Sequence, residues 1–390
     1  MKSVKDIILF NKKVIIRVDF NVPLNDGIIL STKRIDETLP TINYILEQNP
    51  KQLIILSHLG RPKGKYVKDL SLQIILPYLQ DRLNQVIDFC TLDSISDNDI
   101  ILLENIRFYP EETDKNDINT NTFRKKLSDL GEVFINDAFA CYHRNHSSIV
   151  GIDTKEKGYG LLVEKELSYL ENTFNTFDGI KIAMIGGSKI RDKIQLLENI
   201  IPKINYLVIG GGMAFTFMKN LYKMNIGNSL YEPNCENIVT NIMNMAKKYN
   251  VDIILPKDFI CCRNIDNVSD IMVCDTNNGI PNNWIGLDIG LQSTIYISSI
   301  LKKAELVIWN GPFGLYEIDR FAKGTYSLLY EISSLTNDNN LISIICGGDT
   351  ATCCENINLE KSMSHISTGG GSCLELLEGK ILPGIKHLCN

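Results

Sequence analysis

The stretch 307–317, VIWNGPFGLYE, joins a continuous apolar run to a polar, glycine-rich turn. Two further stretches follow the same plan, ISIICGGDTAT at 342–352 and KIAMIGGSKIRDK at 181–193. A continuous rather than alternating apolar run is typical of a strand buried on both faces, as in a parallel sheet. The repeated run and turn therefore predict parallel strands that end in glycine-rich loops.

Short apolar runs of this kind recur along the whole chain. The others are VIIRV (14–18), LIIL (53–56), IILLE (100–104), VFI (133–135), LVI (207–209) and DIIL (252–255). Between the runs, stretches such as 31–49 and 237–249 carry apolar residues at helical spacing. Alternating strands and helices predict an α/β fold of two Rossmann-like lobes, each a mainly parallel sheet with helices on both faces.

The chain has 390 residues, which is enough for two domains. Residues 161–174, LLVEKELSYLENTF, place apolar side chains at steps of four, three and four, which is typical of an amphipathic helix. A polar stretch precedes it, so we expect this helix to connect the two lobes, and together with the loops around 367–372 it is a hinge candidate. The predicted divisions are an N-terminal lobe at 1–160, a connecting helix at 161–175 and a C-terminal lobe that begins at 176.

Composition and charge limit the classes of function. The net charge of −6 argues against a nucleic-acid or anionic-membrane partner. No run approaches the roughly 18 apolar residues of a membrane span, and the N-terminus lacks the apolar core of a secretion signal. The eleven cysteines are scattered without a CxxC pair, which favours reduced thiols in a cytoplasmic protein over a metal site.

Glycine turns cluster in the second half of the chain. In open α/β sheets, ligands bind outside the carboxyl ends of the strands. Glycine lets the backbone approach a ligand, and a helix that starts after the turn adds N–H donors, so such loops favour phosphate. A turn without a ligand is the alternative for any single loop. The four turns are Gly186-Gly187, Gly210-Gly211-Gly212, Gly347-Gly348 and Gly369-Gly370-Gly371.

Charged side chains accompany these turns. Lys189 and Lys193 stand four residues apart, so we expect them one helical turn apart and facing one phosphate chain; an exposed helix face is the alternative. Asp349, followed by Thr350, suits Mg²⁺ beside a phosphate, although a helix N-cap would also explain it. The chain contains neither a Walker-type GxxxxGK[ST] nor the GxGxxG of an NAD-linked dehydrogenase.

The first half of the chain has a different set of side chains at its strand ends. Planar guanidinium groups bind carboxylate and phosphate in a two-pronged manner, so clustered arginines in an acidic protein indicate a small, highly anionic substrate. A surface salt bridge is the alternative for any one of them. With a nucleotide site in the other lobe, this arrangement predicts phosphoryl transfer. The cationic residues are Arg17, Arg34, His58, Arg61, Arg107, His143 and Arg144, whereas His146 and His387 are interpreted as ordinary polar residues.

These motifs, taken together, resemble those of the phosphoglycerate kinase family in nearly their full order. The segments are RVDFNVP (17–23), SHLGRP (57–62), LLENIRF (102–108), NDAFACYHR (136–144), GGSKIRDK (186–193), GGGMAFTF (210–217), WNGPFGLYE (309–317), GGDTAT (347–352) and STGGGSCLELLEGK (367–380). The resemblance implies transfer from 1,3-bisphosphoglycerate to MgADP, giving 3-phosphoglycerate and MgATP. It also implies hinge-bending closure, a monomer, and a C-terminal segment at 376–390 that returns to the N-terminal lobe after the C-terminal lobe ends at 375.

The resemblance further implies residue roles. Arg34, Lys189 and Gly370 would act on the transferring group, and Asp349 would hold Mg²⁺. The substrate-binding positions would be Asp19, Asn21, Arg34, His58, Leu59, Gly60, Arg61, Arg107 and Arg144. The nucleotide-binding positions would be Gly187, Lys193, Gly211, Gly212, Asn310, Pro312, Glu317, Gly347, Gly348, Asp349 and Thr350.

Two departures from the family pattern lie at the nucleotide loops. Cys346 replaces the first glycine of a usual three-glycine run, and Arg191 replaces a smaller residue between the two lysines. Arg191 would either add charge near the nucleotide or point to solvent. No charged site residue is lost, which argues against a scaffold that kept the fold without activity.

Overall fold

The computed structural model describes residues 1–114, 117–265 and 270–389. Its strands are β1 (Lys2–Ser3), β2 (Lys13–Arg17), β3 (Leu24–Asn25), β4 (Ile28–Ile29), β5 (Gln52–Leu56), β6 (Asp88–Cys90), β7 (Ile100–Leu103), β8 (Val133–Asn136), β9 (Glu156–Tyr159), β10 (Lys181–Ile185), β11 (Tyr206–Ile209), β12 (Asp252–Ile254), β13 (Asp258–Cys262), β14 (Ile271–Asp275), β15 (Ile285–Ile289), β16 (Leu306–Asn310), β17 (Ile342–Cys346) and β18 (His365–Ile366). Its α-helices are α1 (Lys33–Asp36), α2 (Leu39–Glu47), α3 (Leu76–Leu83), α4 (Asp117–Ser128), α5 (Ser147–Val150), α6 (Leu161–Leu167), α7 (Phe174–Thr176), α8 (Ile194–Ile200), α9 (Gly211–Tyr222), α10 (Glu236–Tyr249), α11 (Leu291–Leu301), α12 (Lys323–Asn337), α13 (Gly348–Asn356), α14 (Gly371–Leu377) and α15 (Pro383–Cys389).

The chain forms two compact units. The first, called here the N-terminal unit, comprises Met1–Ser168 and Ile381–Asn390, and the second, the C-terminal unit, comprises Tyr169–Lys380. Residue 390 lies outside the described residues. The division between Ser168 and Tyr169 falls inside the stretch predicted to be a connecting helix. Of the predicted returning segment 376–390, the part from Ile381 groups with the N-terminal unit, whereas 376–380 groups with the other unit.

A parallel sheet forms the centre of the N-terminal unit, with strand order β1-β9-β8-β2-β5-β7-β6. The strands β5, β7 and β8 are buried along their whole length. A sheet covered on both faces has no solvent side, which explains why these runs do not alternate. Arg17 at the end of β2 pairs with Leu56 and Asn136, so the ends of three central strands lie level.

The C-terminal unit has a six-stranded parallel sheet in the order β12-β11-β10-β16-β17-β18. Each predicted apolar run forms a strand of one of the two parallel sheets, which confirms the predicted α/β fold. Trp309 and Phe313, with ring centroids 5.2 Å apart, lie in the core beside the central strand β16. The apolar runs thus mark the strands that are buried on both faces of the sheets.

A three-stranded antiparallel sheet, β14-β13-β15, is an addition that the apolar runs did not predict. Its strand β14 exposes the side chains of Ile271 and Val273, so the apolar residues of this strand are not all buried. Asp258 begins β13 and caps the start of α11, because its carboxylate accepts from the N–H groups of Gln292 and Ser293. The sheet thus supports the helix that precedes β16.

The helical stretch from Leu161 to Thr176 has a π-helical part at Ser168–Thr173 between α6 and α7. The four apolar positions that define its periodicity are all buried, namely Val163, Leu167, Leu170 and Phe174. The amphipathic helix is therefore present, but its middle has π rather than α hydrogen bonding.

The helix predicted over 31–49 is divided into α1 and α2. Pro40 lies in the first turn of α2, where it has no N–H to donate to the preceding turn. At the other end of the chain, α15 packs in the N-terminal unit: the Gly384 N–H donates to the Tyr142 carbonyl at 2.9 Å, and His387 Nε2 donates to the Ile152 carbonyl at 2.8 Å. Within the described residues, no helix has both the length and the apolar character that crossing a bilayer requires.

Candidate functional site

The glycine loops of the C-terminal unit lie side by side because their strands end in register. Ile185 at the end of β10 pairs with Ile209 on one side and Asn310 on the other. Asn310 pairs in turn with Cys346 at the end of β17. The loops that follow these four strands therefore open at one edge of the sheet, as expected for a ligand site in an open α/β fold.

These loops line one cavity of about 530 Å³, called here the glycine cavity. Its volume falls in the usual range of small-molecule sites. All positions predicted to bind nucleotide lie on its wall, together with two predicted catalytic positions. The wall includes Gly187, Lys189, Lys193, Gly211, Gly212, Asn310, Pro312, Glu317, Gly347, Gly348, Asp349, Thr350 and Gly370.

Two glycines are required by the close approach of backbone to backbone. A Cβ on Gly186 would lie 2.3 Å from the carbonyl oxygen of Pro312. Gly211 has a φ of +62°, and a Cβ on it would lie 2.8 Å from the amide nitrogen of Gly187. Since real side chains do not tolerate such distances, glycine lets these loops pack directly on one another.

Three helices begin at the cavity with a glycine as N-cap. Gly210 precedes α9, Gly347 precedes α13 and Gly370 precedes α14, and none of them supplies a side-chain acceptor. The first N–H groups of a helix need acceptors from elsewhere, and the helix dipole adds positive potential there. The three N-termini therefore provide donors for an anion such as a phosphate chain.

The two lysines are not one helical turn apart, so that prediction was wrong. Lys189 lies exposed in the loop after β10, whereas Lys193 ends the short 3-10 turn Arg191–Lys193. The loop does not continue α8 backwards, because the N–H groups of Ile190 and Arg191 donate to a carboxylate oxygen of Glu232. Both lysines nevertheless line the cavity.

Lys193 is half-buried and bonded. Its Nζ donates to Asn310 Oδ1, which fixes the ammonium group at the cavity wall. Burial lowers the pKa of Lys193, and nearby acidic groups only partly oppose this effect. A partly desolvated cation next to helix N-termini increases the preference of the cavity for an anion.

Asp349 is exposed in the first turn of α13, whose N-cap is Gly347, so the N-cap interpretation of Asp349 is wrong. Its Oδ1 accepts from the Tyr316 hydroxyl at 3.4 Å, and the nearby charges of Asp349 and Glu317 contribute, after burial, to raising the pKa of Tyr316 to about 12. A carboxylate with one long hydrogen bond beside the N–H donors of a helix start fits the oxygen ligands that Mg²⁺ takes. Thr350 is buried, and its Oγ1 accepts from the Gly311 N–H at 2.8 Å.

Sequence reasoning missed several residues of the cavity wall. Asp288 is buried, and burial raises its pKa to about 7. Its carboxylate accepts from the N–H groups of Ile289 and Gly324, so it holds the end of β15 to the start of α12. A lone acid inside an apolar run was the only signal for Asp288. Others missed are Phe215, Leu230, Phe259 and Tyr316, which carry no polar or glycine pattern.

The N-terminal unit concentrates positive charge around His58. This imidazole is buried, and its pKa lies well below the ordinary value of 6.5. Burial is the main cause, and the remaining causes are the positive charges of Arg17, Arg107, Arg144 and Arg34. We call these four arginines and His58 the basic cluster.

Arg17 is fully buried at the centre of the basic cluster. Its Nε donates to Ser148 Oγ at 2.9 Å, and its Nη1 donates to the Val18 carbonyl. Its Nη2 lies 3.1 Å from Nδ1 of His58. A guanidinium has no acceptor, so Nδ1 accepts this bond and the neutral imidazole carries its proton on Nε2.

Asp19 partly balances this charge. Its carboxylate pairs with Nη1 of Arg34 and accepts from the N–H of Asn21 at 3.0 Å. The side-chain oxygen of Asn21 in turn accepts from the Gly60 N–H at 2.8 Å. The predicted residues after β2 and β5 are thus joined by hydrogen bonds.

Arg107 reaches the same loop from a different strand. Its Nη1 donates to the Gly60 carbonyl at 2.6 Å, while the neighbouring Leu59 carbonyl accepts from Asn105 Nδ2 at 2.7 Å. The Nε of Arg107 is buried without an acceptor in the described part of the chain. Burial lowers the pKa of Arg107 to about 10. An arginine with an unused buried donor among other cations favours an added anion.

Arg144 and Arg61 lie at the margin. The Nε of Arg144 donates to Nε2 of His143 at 3.2 Å, and burial lowers the pKa of His143. Arg61 is exposed, and no hydrogen bond or ion pair among the described residues connects it to the basic cluster. Hydrogen bonds and charge interactions among the described residues therefore connect all the predicted arginines except Arg61.

A buried layer supports the basic cluster and was missed in the sequence. Glu112 is fully buried, and its carboxylate accepts from the N–H and Oγ of Ser148, which itself accepts from Arg17. Burial raises the pKa of Glu112. His146, interpreted from sequence as an ordinary polar residue, has Nδ1 3.6 Å from Glu112 Oε1, and burial lowers its pKa to about 3.

One group of potential metal ligands also lies here. Side-chain atoms of Asp19, His58 and Cys141 come within 4.8 Å of one another. The Nδ1 of His58 is engaged by Arg17, and four arginines act on this imidazole. Because these positive charges repel a divalent cation, the arrangement suits an anion rather than a metal.

The chain is similar to known proteins along nearly its whole length. The family model described as phosphoglycerate kinase matches residues 4–380. The chain is 42% identical to phosphoglycerate kinase of Candida maltosa, covering 100% of this chain and 98% of that protein. It is also 42% identical to phosphoglycerate kinase 2 of Mus musculus, covering 98% and 97%. The solved phosphoglycerate kinase of Coxiella burnetii aligns with a TM-score of 0.89 at 34% identity, covering 100% and 98%.

Proposed function

Because this chain belongs to the phosphoglycerate kinase family, we propose that it transfers a phosphoryl group reversibly from 1,3-bisphosphoglycerate to ADP. The products are 3-phosphoglycerate and ATP, and in the reverse direction the acceptor is a carboxyl group. The observation that supports this most is the presence in one chain of the glycine cavity and the basic cluster. The proposal includes a monomeric enzyme of glycolysis and gluconeogenesis in the cytoplasm.

We assign the nucleotide to the glycine cavity. Gly187, Gly211 and Gly212 would form the flat surface against the base, and Glu317 would accept hydrogen bonds from the ribose hydroxyls. Asn310 and Pro312 would line the cleft. Two parts of the wall would hold the phosphates: the donors at the starts of the helices, and Lys193 with the segment Gly347, Gly348 and Thr350. All these residues lie on the wall of one cavity, and this supports the assignment.

Asp349 would hold Mg²⁺ bound to the nucleotide. Its exposed carboxylate, with one long hydrogen bond, is available for a hard cation, and the neighbouring helix N-terminus is placed for phosphate oxygens. Such an ion would neutralise part of the negative charge of the nucleotide phosphates.

The basic cluster would take the phosphoglycerate. Arg107 and Arg144 would pair with its phosphate, together with Arg61, which the loop would have to bring in. His58 would donate from Nε2, because Nδ1 is occupied by Arg17. Asp19 and Asn21, with the backbone of Leu59 and Gly60, would hold the glycerate hydroxyl and carboxyl end. Arg34 would stabilise the acyl-phosphate end.

The chemistry requires position and positive charge rather than a covalent intermediate. A β-phosphate oxygen of ADP attacks the acyl phosphorus in line, the bond from phosphorus to the carboxyl oxygen breaks, and the electron pair leaves with the carboxylate. Lys189 would follow the transferring group, while Arg34 and the helix start at Gly370 would stabilise its developing negative charge. No proton needs to be abstracted in this direction.

Closure of the lobes belongs to the proposal, since an acyl phosphate reacts with water. Residues 161–175 would be the hinge, and the π-helical part at Ser168–Thr173 supports this, because π turns are common at functional positions in helices. Small-angle scattering with and without both substrates tests it. A profile that both substrates together leave unchanged would count against closure.

Turnover itself is the decisive test. The purified chain is supplied with 3-phosphoglycerate and ATP, with and without Mg²⁺, and formation of 1,3-bisphosphoglycerate is followed by a coupled assay. We expect turnover that saturates in both substrates and depends on Mg²⁺. Nucleotide binding without turnover under these conditions would contradict the proposed reaction.

A further inference from the structure

Arg191, which departs from the family pattern, is held against a neighbouring loop rather than against the cavity. The wall of the glycine cavity includes Lys189, Asp192 and Lys193 but not Arg191. The Nη1 of Arg191 donates to Glu232 Oε1 at 2.9 Å. The side chain is 43% exposed, so the alternative that placed it in solvent is partly right, but its guanidinium is bonded to the loop at Glu232.

The same guanidinium also binds backbone. Its Nη2 donates to the carbonyls of Pro233 and Asn234 at 2.8 and 2.9 Å. Three acceptors on three successive residues fit the planar fork of an arginine, and a lysine ammonium does not reproduce that geometry. The contact therefore depends on the shape of the group as well as on its charge.

Glu232 connects this contact to the loop after β10 that carries Lys189. Its Oε2 accepts from the N–H of Ile190 at 2.8 Å and of Arg191 at 3.3 Å. Its own N–H donates to the buried Oγ1 of Thr216 on α9, and its side chain is only 11% exposed. Glu232 thus binds the residue after Lys189 through its carboxylate and α9, a helix that itself begins at the cavity, through its backbone N–H.

We propose that Arg191 and Glu232 form a clamp that positions Lys189 toward the transferring phosphoryl group, which is the γ-phosphate of ATP, with Arg191 acting as a positioning residue and not as a phosphate ligand. The proposal rests on the nucleotide assignment made above. The clamp acts through the backbone of Ile190, so it restricts the loop in the absence of ligand. It also fixes the loop at the place where the predicted helical turn fails to form.

The test compares three variants with a matched control. Arg191→Met removes the fork, Arg191→Lys keeps the charge, and Glu232→Gln weakens the shared acceptor. The control is Arg263→Met, which removes an exposed arginine of the same unit whose ion pair with Asp270 is away from the cavity wall. Two quantities are measured: the dissociation constant of MgATP by calorimetry, and hydrogen exchange of the segment 187–193 without ligand.

We expect MgATP affinity to fall about 3- to 10-fold in both Arg191 variants, as for one partly exposed ion pair with added hydrogen bonds. Exchange of the loop should rise in the same variants and not in the control. The double variant Arg191→Met/Glu232→Gln should bind the nucleotide with the same affinity as the single variant that binds it less tightly, because both changes open one clamp.

Three results would overturn the clamp. Affinity retained by Arg191→Lys but lost by Arg191→Met would show that charge alone matters. Faster exchange without any loss of affinity would leave only a structural contact, and additive losses in the double variant would show two independent effects. Binding of MgATP by the unmodified chain without turnover contradicts the proposed function but leaves this test valid, whereas no binding of MgATP contradicts both.

Discussion

The basic cluster and the glycine cavity, the two proposed anion sites, are built by opposite means. The basic cluster uses buried side chains that hold one another, with Arg17 bonded to Ser148 and His58. The glycine cavity instead presents backbone donors at three helix starts, and two of its charged residues, Lys189 and Asp349, are exposed. Substitutions in the first region should therefore change stability, and exposed substitutions in the second should change activity alone.

The largest expected effect is on the rate. Lys189→Ala should lower kcat about 100- to 1000-fold, because it removes a positive charge aimed at the transferring group. Its free energy of unfolding should stay within about 0.5 kcal/mol of the unmodified protein, since the side chain is exposed. The control is Lys303→Ala, an exposed lysine outside the cavity wall. A Lys189 variant with normal kcat would remove this residue from the mechanism.

The largest effect on stability should come from the basic cluster. Arg17→Met should lower the free energy of unfolding by about 3 kcal/mol, because Nδ1 of the buried His58 loses its donor and the buried Glu112 loses a nearby positive charge that lowers its pKa. Denaturant unfolding measures this change. Arg61→Met, exposed and unconnected to the cluster, should change stability by less than about 0.5 kcal/mol. Equal losses in the two variants would contradict the contrast between buried and exposed arginines.

Backbone geometry should matter most in the glycine cavity. Gly211→Ala should lower the free energy of unfolding by about 1–3 kcal/mol, because of its φ of +62° and the close approach to Gly187. It should also weaken nucleotide binding. Gly348→Ala should leave stability nearly unchanged, since nothing lies within 4 Å of the new Cβ. Thermal unfolding and MgADP calorimetry on both variants check this, and a stable, tight-binding Gly211 variant would refute it.

The smallest expected effect concerns pH. The folded pKa of His146, about 3, lies below the ordinary 6.5, so between these values the unfolded chain binds a proton that the folded chain does not. The free energy of unfolding contributed by this group is full above pH 6.5 and falls as the pH falls through that window. In His146→Asn, the loss between pH 6.5 and 5 should be smaller by about 1 kcal/mol, after allowing for screening by solvent. Parallel curves for the two proteins would exclude His146 as a contributor.

Local sequence sufficed wherever one residue type and its neighbours determine the outcome. Continuous apolar runs predicted the strands of both parallel sheets, because burial on both faces leaves no polar positions. Paired glycines predicted the loops of the cavity, because close backbone approach excludes a Cβ. The family itself followed from motifs that are contiguous in the chain.

Tertiary structure decided the features that depend on residues far apart in sequence. Lys189 and Lys193 do not share a helix face, since Glu232 accepts the N–H groups that a helical turn would use. Arg191 likewise binds a loop some forty residues away, which no local pattern indicates. The layer of Glu112 and His146 beneath the basic cluster was invisible for the same reason, because burial and the pKa shifts that it causes arise only when distant segments pack together.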